Sequence, residues 1–460
     1  MSARAAKLPP GPSGVELVRW FLRARRDPSA AFDELARYGD IVRLHNVLPQ
    51  SAEPNFFLLR KPEDVKHVLQ ENHRNYRKSS TYDVVRLVVG DGLLTSEGDH
   101  WKRQRRLAQP SFHKERIAHF ARAMVEEAEA MLARWERAPA SGMDIAEEMR
   151  RVTLAVVGRT LFSSDVERYA DAVSRGLEGA LDYVDRRLNS PIQPPMWLRT
   201  PRQRRFGRAM AQLDGVAADV IASRRGREHE FEDLLSMLML AEDEESGGRM
   251  SERQVRDEVM TFLLAGHETS ANALAWSLYL LATHTLERDR LEREVDEALV
   301  GRAPSMDDLP RLPFARMVIE EALRLYPPVW MIERHALAPD VLGGYSIPAG
   351  SAVVTSPYVV HRSPTVWDAP LEFRPSRFTP EAVTSRPPFA YFPFGGGPRQ
   401  CIGNTFALVE TQLILTRIVS RFRVDIAPGA RPALEPKITL RPGGLRMTVR
   451  ARDRVTIAAV

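Results

Sequence analysis

One cysteine, Cys401, stands in a chain of 460 residues, which excludes a disulfide within the chain and suits a reducing cytoplasm. Nowhere do about 20 apolar residues run unbroken, as a membrane-spanning helix requires. The nearest stretch, residues 260–281, contains His267, Glu268 and Asn272 and reads as a buried helix. The amino terminus runs from Met1 into Leu8-Pro9-Pro10-Gly11-Pro12 without the apolar segment of a secretory signal. Charge of one sign is also missing. The 65 basic and 60 acidic residues are interspersed, so a net charge of +5 describes a solvated surface and no nucleic-acid partner is expected. Internal repeats and low-complexity tracts are absent. The remaining composition, 44% hydrophobic and 27% charged, is that of a globular enzyme able to bury a large core.

The pattern along the chain is mainly helical with a smaller β-rich region, an α+β class. Residues 15–25 and 30–38 are amphipathic, and residues 41–44 and 55–59 read as short strands. Helical periodicity then dominates from about residue 62 to about 330. Ser251 and Gln254 have capping-box spacing at the head of a long helix. Pro191, Pro194, Pro195, Trp197 and Pro201 break the helices at residues 191–201, a segment that reads equally as a lid or as a surface loop. Residues 333–393 are short apolar runs punctuated by Gly and Pro, followed by one more helix over about residues 404–420 and terminal strands. A single domain over residues 1–460 is expected.

The most informative segment is residues 394–403, Phe394-Gly395-Gly396-Gly397-Pro398-Arg399-Gln400-Cys401-Ile402-Gly403. Glycines let backbone lie flat against a planar ligand and free N–H groups to point at a sulfur. Arg399 can pair with an anionic group on such a ligand. A helix starting just past the cysteine favours its thiolate. The competing phosphate-loop reading lacks the Lys-Ser/Thr it needs. This segment resembles the haem-binding loop of the cytochrome P-450 family, matching Phe-x-x-Gly-x-Arg-x-Cys-x-Gly at each specified position.

Other motifs extend the resemblance along the chain. Glu321 and Arg324 stand at the Glu-x-x-Arg spacing that puts both on one helix face. Arg377, in Phe373-Arg374-Pro375-Ser376-Arg377-Phe378, is implied to join them in a buried network, with Ser376 departing from the family's usual Glu. Ala265-Gly266-His267-Glu268-Thr269 resembles the family's oxygen-activation motif. In that motif Glu268 and Thr269 relay protons, Ala265 lies against the haem and Gly266 makes room for dioxygen. The plainer reading of Thr269 is a hydroxyl bonded to its own helix carbonyl. Trp101 and Arg105, at the family's Trp-x-x-x-Arg spacing, and Arg334 after Pro327-Pro328 are implied partners of the haem propionates. His100 and His335 beside them read as surface histidines.

The resemblance implies a cytochrome P-450 fold, with a long central helix over the haem and the cysteine loop beneath it. It implies haem b ligated by the Cys401 thiolate, with Phe394, Arg399 and Gly403 also holding the cofactor. The activity implied is a monooxygenase that uses O2 as co-substrate and inserts one oxygen atom. Electrons would come from a separate ferredoxin and an NAD(P)H-dependent ferredoxin reductase, since residues 402–460 are too few for a fused reductase. Lys102, Arg103 and Arg106 either dock that partner or form a solvated helix face. Leu94, Phe262, Val329, Trp330 and Met331, all apolar, are the candidate pocket lining, which points to a lipophilic substrate: a terpenoid, fatty acid, steroid or macrocycle. The expected protein is a cytoplasmic monomer. Two rivals are a peroxide-dependent peroxygenase or isomerase of the same fold, against which Glu268 and Thr269 speak, and a non-catalytic haem-binding protein. A helical enzyme with an unrelated cysteine would bind no haem.

Overall fold

The computed structural model describes residues 7–24, 27–45, 53–162, 167–190, 194–198, 200–243, 245 and 247–452. Its centre is the helix Glu252–Thr283, whose 32 residues extend about 48 Å at the usual rise per residue. The helix starts where it does because Ser251 accepts from the Gln254 N–H while the Gln254 side chain returns to the Ser251 N–H, satisfying orphan donors reciprocally. Its buried residues occur from Val255 to Leu281 on nearly every face, as expected of a helix enclosed by others. It packs most extensively on the helix Ile145–Phe162, and also on Pro313–Leu325 and Asn404–Arg421. Among the described residues no helix is long and apolar enough to cross a membrane.

A five-stranded sheet lies beside this helical body, ordered Ile41–His45, Asn55–Leu59, Ala352–Thr355, Ile332–Ala336, Tyr76–Lys78. Only the Asn55–Leu59 and Ala352–Thr355 pair is parallel. The sheet thus joins the early part of the chain to the region after the Glu-x-x-Arg helix, and its register sets Lys78 opposite Arg334. The strands Ala433–Pro436 and Leu440–Gly443 pair as an antiparallel hairpin. Of the Pro-rich segment, residues 191–193 and 199 lie outside the described residues, and Trp197 is 78% exposed.

Candidate active site

The cysteine loop is closed by backbone bonds: Gly395 N–H to Phe392 O at 2.9 Å, Gln400 N–H to Gly397 O at 3.1 Å and Cys401 N–H to Phe394 O at 2.9 Å. Gly397 is required twice over. Its φ is +66°, and a Cβ would stand 1.9 Å from Leu69 O. Gly403 is different: a Cβ there meets nothing closer than Phe112 at 3.6 Å, so the surrounding protein does not demand a glycine. Cys401 is exposed as a residue while protein atoms crowd closely around its thiol, the pattern of a side chain facing an internal space. Burial pushes the thiol up, while a hydrogen bond from the Gly403 N–H and the Arg105 charge pull it down. Ala265 behaves likewise, exposed in the middle of a helix whose neighbours Leu264 and His267 are buried.

Four cations gather around the loop. Arg105 donates to Gln400 O at 2.7 Å and to Gln109. Arg399 donates to Ser96 O at 2.9 Å, pairs with Glu97 and lies 3.7 Å over the Trp101 ring. Arg334 is buried, and its one bond among the described residues goes to Glu333 O. Lys78, which no sequence motif flagged, donates to Leu93 O and Ser96 O. Burial, then the Arg399 charge, holds its ammonium well below the ordinary value. Burial likewise brings Arg399 down to about 10, against the pull of Glu97. A half-buried group of cations with one carboxylate partner is costly unless further anions complete it. A thiol opening inward beside a surplus of buried positive charge fits an iron macrocycle bearing two carboxylates.

Residues 9–449 match the family model described as Cytochrome P450. The chain is 38% identical to cyclooctatin synthase of Streptomyces melanosporofaciens, covering 95% of this chain and 94% of that one. It is 36% identical to cyclooctat-9-en-7-ol 5-monooxygenase of the same organism, over 91% and 90% of the two chains. Pentalenene oxygenase of Streptomyces avermitilis is 33% identical over 96% and 97%. Among solved structures, a mutant cytochrome P450DA haem domain superposes with a TM-score of 0.85 at 28% identity, covering 98% and 99%. This chain is a cytochrome P450. It has the P450 fold and belongs with relatives named as monooxygenases.

In this P450 the structure assembles the Glu-x-x-Arg network. Arg324 grips both Glu321 oxygens at 2.6 and 2.8 Å and donates to His361 O, Pro370 O and Glu372 O. Arg377 stands 3.4 Å from Glu321 and donates to Ala369 O, so the Ser376 departure leaves the network intact. The oxygen-activation segment is less simple. Thr269 donates to Ala265 O at 2.7 Å, the plainer reading. At Gly266 a Cβ would stand 3.0 Å from a Val157 methyl, so the glycine lets the long helix pack closely on Ile145–Phe162. Glu268, only 2% exposed, accepts from Arg441 Nε at 2.6 Å and from the Thr439 hydroxyl. Burial alone would raise its carboxyl, but the Arg441 charge and hydrogen bond outweigh that and lower it.

Phe262 tilts against Phe112 at 5.5 Å, and Phe112 lies near Gly403 of the cysteine loop. Trp330 and Met331 pack into the cluster of the amino-terminal helices and the sheet. The Trp330 ring lies edge-on to Phe32, and its Nε1 donates to Lys437 O at 2.8 Å. Leu94 is half-buried, and Val329 is 38% exposed. Neither histidine is a plain surface group. His335 meets Glu53 at 3.1 Å with 15% of its side chain exposed, and His100 lies 3.2 Å from Asp91 O. Of the proposed docking cations, Arg103 donates to Gly248 O and Arg249 O, while Arg106 pairs with Asp243 and Glu245. Glu97, Thr439 and Arg441 were missed along with Lys78. Each lies outside any local motif and is recognisable only once distant segments meet.

Proposed function

We propose that this P450 holds haem b through the Cys401 thiolate and inserts one oxygen atom from O2 into a terpenoid hydrocarbon or alcohol. A separate ferredoxin and its NAD(P)H-dependent reductase supply the electrons. The observation that carries this reading is the one thiol, crowded by protein, beside a surplus of half-buried cations. Arg105, Arg334, Arg399 and Lys78 would pair with the propionates, Trp101 would support Arg399, and Phe394 and Gly403 would shape the thiolate's hydrogen bonding. The haem, when bound, supplies the iron at which O2 is activated. Glu268 and Thr269 would hold and pass on protons from the long helix, where the Thr269 hydroxyl donates to the carbonyl of the exposed Ala265. The substrate class follows from relatives named for cyclooctatin, cyclooctat-9-en-7-ol and pentalenene.

The deciding experiment reduces the purified protein under carbon monoxide. A strongly red-shifted Soret band is expected, and Cys401→Ala should lose it. Absence of the band, or its survival in the Ala variant, overturns the reading. Titration with cyclooctat-9-en-7-ol and pentalenene, followed by the low-spin to high-spin shift, then tests the substrate class.

A further inference from the structure

The carboxyl beside Thr269 is held by one of its two oxygens only. Both hydrogen bonds to Glu268 fall on Oε1, from Arg441 and from Thr439, and Oε2 has no partner among the described residues. Arg441 and Thr439 belong to the carboxy-terminal hairpin, wedged between two walls. On one side Asn272 donates to Thr439 Oγ1 at 3.2 Å and Trp276 to Leu440 O at 3.2 Å, both from the long helix. On the other side Leu440 N–H donates to Pro328 O at 2.9 Å and Trp330 to Lys437 O. The hairpin is therefore positioned by the same long helix that carries Glu268 and Thr269 and by the segment after the Glu-x-x-Arg helix.

Arg441 also lines a cleft. A space of about 330 Å³ is bounded by Arg175, Glu178 and Asp182 of the helix Glu167–Asn189 and by Lys437, Ile438 and Arg441. Five charged side chains share its walls with apolar surface, a lining that water can enter, and Arg441 is the wall residue that also touches Glu268. The charges that bear on Glu268 are Arg441 and the neighbouring His267, with Glu178 and Glu435 acting on Arg441 in turn and Arg150 on His267.

We infer that Arg441 is a positioning residue for proton delivery, holding the Glu268 carboxyl by one oxygen between this cleft and Thr269. A proton enters from cleft water and is taken up on Glu268 Oε2. It passes to the Thr269 hydroxyl as that hydroxyl releases its own proton inward, so no charge accumulates on the pair. Without the guanidinium, the buried carboxyl becomes neutral at higher pH and keeps its proton. This inference rests on the relay reading given above for Glu268 and Thr269, and the controls separate the two.

The test uses the holoenzyme with a bacterial ferredoxin, ferredoxin reductase and NADPH, and reads two quantities. One is the share of NADPH recovered as hydrogen peroxide. The other is the pH at which the C–O stretch of the carbon monoxide complex changes, which needs neither turnover nor substrate. Arg441→Gln is expected to raise the peroxide share several-fold and to move the infrared transition to higher pH. Arg441→Lys, which keeps the charge, should restore most of both. In a Glu268→Gln background, Arg441→Gln should add nothing. Wild-type values in Arg441→Gln overturn the inference, and so does an effect that persists without the Glu268 carboxylate. Should Arg441→Gln lose the thiolate-type Soret band, Thr439→Val replaces it, with smaller changes in the same direction expected and no change counting against. Thr269→Ala is the control for the underlying relay: an unaltered peroxide share there refutes the relay itself rather than the role of Arg441.

Discussion

Glu410 shows what a single misplaced charge costs. It lies on Asn404–Arg421, fully buried, and neither carboxyl oxygen has a well-formed hydrogen bond. Burial lifts it from 4.5 to about 8, with Ser270 of the long helix close enough to offset only part of that cost. The folded protein therefore keeps this carboxyl protonated at neutral pH, while the unfolded chain ionises it above about 4.5. Its contribution is fully present below the unfolded value and is lost as pH rises through the folded one. Stability should fall across the window from about pH 4.5 to 8, by at most about 1.4 kcal/mol per pH unit for this one group. Glu258, raised to about 7 mainly by burial, acts in the same direction, so the effect of Glu410 needs a substitution to isolate it. Glu410→Gln should flatten the decline, measured as denaturation midpoints at pH 5.5 and 8 for both proteins. Parallel midpoints would show that the carboxyl is already ionised in the fold. Glu268 is the contrast: equally buried, it is held ionised because Arg441 is within reach.

Between elements, the Glu321–Arg324 pair fastens the helix Pro313–Leu325 to the irregular chain that leads to the cysteine loop. Arg324 is 0% exposed and makes five hydrogen bonds, two to Glu321 and three to carbonyls of residues 361, 370 and 372. Arg324→Ala would strand a buried carboxylate and three carbonyls, an expected loss of about 3–5 kcal/mol in chemical denaturation. Arg324→Lys should recover little, since a point charge cannot span that fan of acceptors. A loss in the alanine variant below about 1 kcal/mol would mean that the pair is not the fastening. This pair was legible in the sequence because both members sit on one helix, three residues apart. The strands at residues 41–44 and 55–59, the capping box at Ser251 and the cysteine loop were legible for the same local reason. Glu268 and Arg441 are 173 residues apart and meet only because a terminal hairpin folds back onto the long helix. The packing partners of Phe262 and Trp330 were not legible, because an apolar residue beside a motif fits either side of its element equally well. Only the positions of Phe112 and Phe32 decide the side.

At the scale of the whole molecule, a net charge of +5 says little until its distribution is known. A surface hollow of about 450 Å³ is lined by Trp101, Lys102, Arg105, Arg106, Gln109 and Pro110. Arg105 reaches from it to Gln400 O, the residue before Cys401, so this hollow adjoins the cysteine loop. An electron donor seated there would stand a short way from the sulfur. Yet the positive charge is partly spent: Asp243 and Glu245 hold Arg106, and Asp99 pairs with Lys102 at 2.8 Å. Apolar contact with Trp101 and Pro110 must then share the docking with charge. Between about 0.01 and 1 M salt the Debye length falls from about 30 to about 3 Å, enough to silence exposed charges. The apparent KM for an acidic ferredoxin should rise over that range, while kcat at saturating ferredoxin should hold. Glu245→Gln, which frees Arg106 of an exposed partner, should lower KM at low salt and converge with the wild type at high salt. A KM indifferent to both salt and Glu245 would assign docking to the apolar contacts alone. A kcat that fell with salt would place the sensitivity after docking, in the transfer of the electron through the Gln400–Cys401 loop.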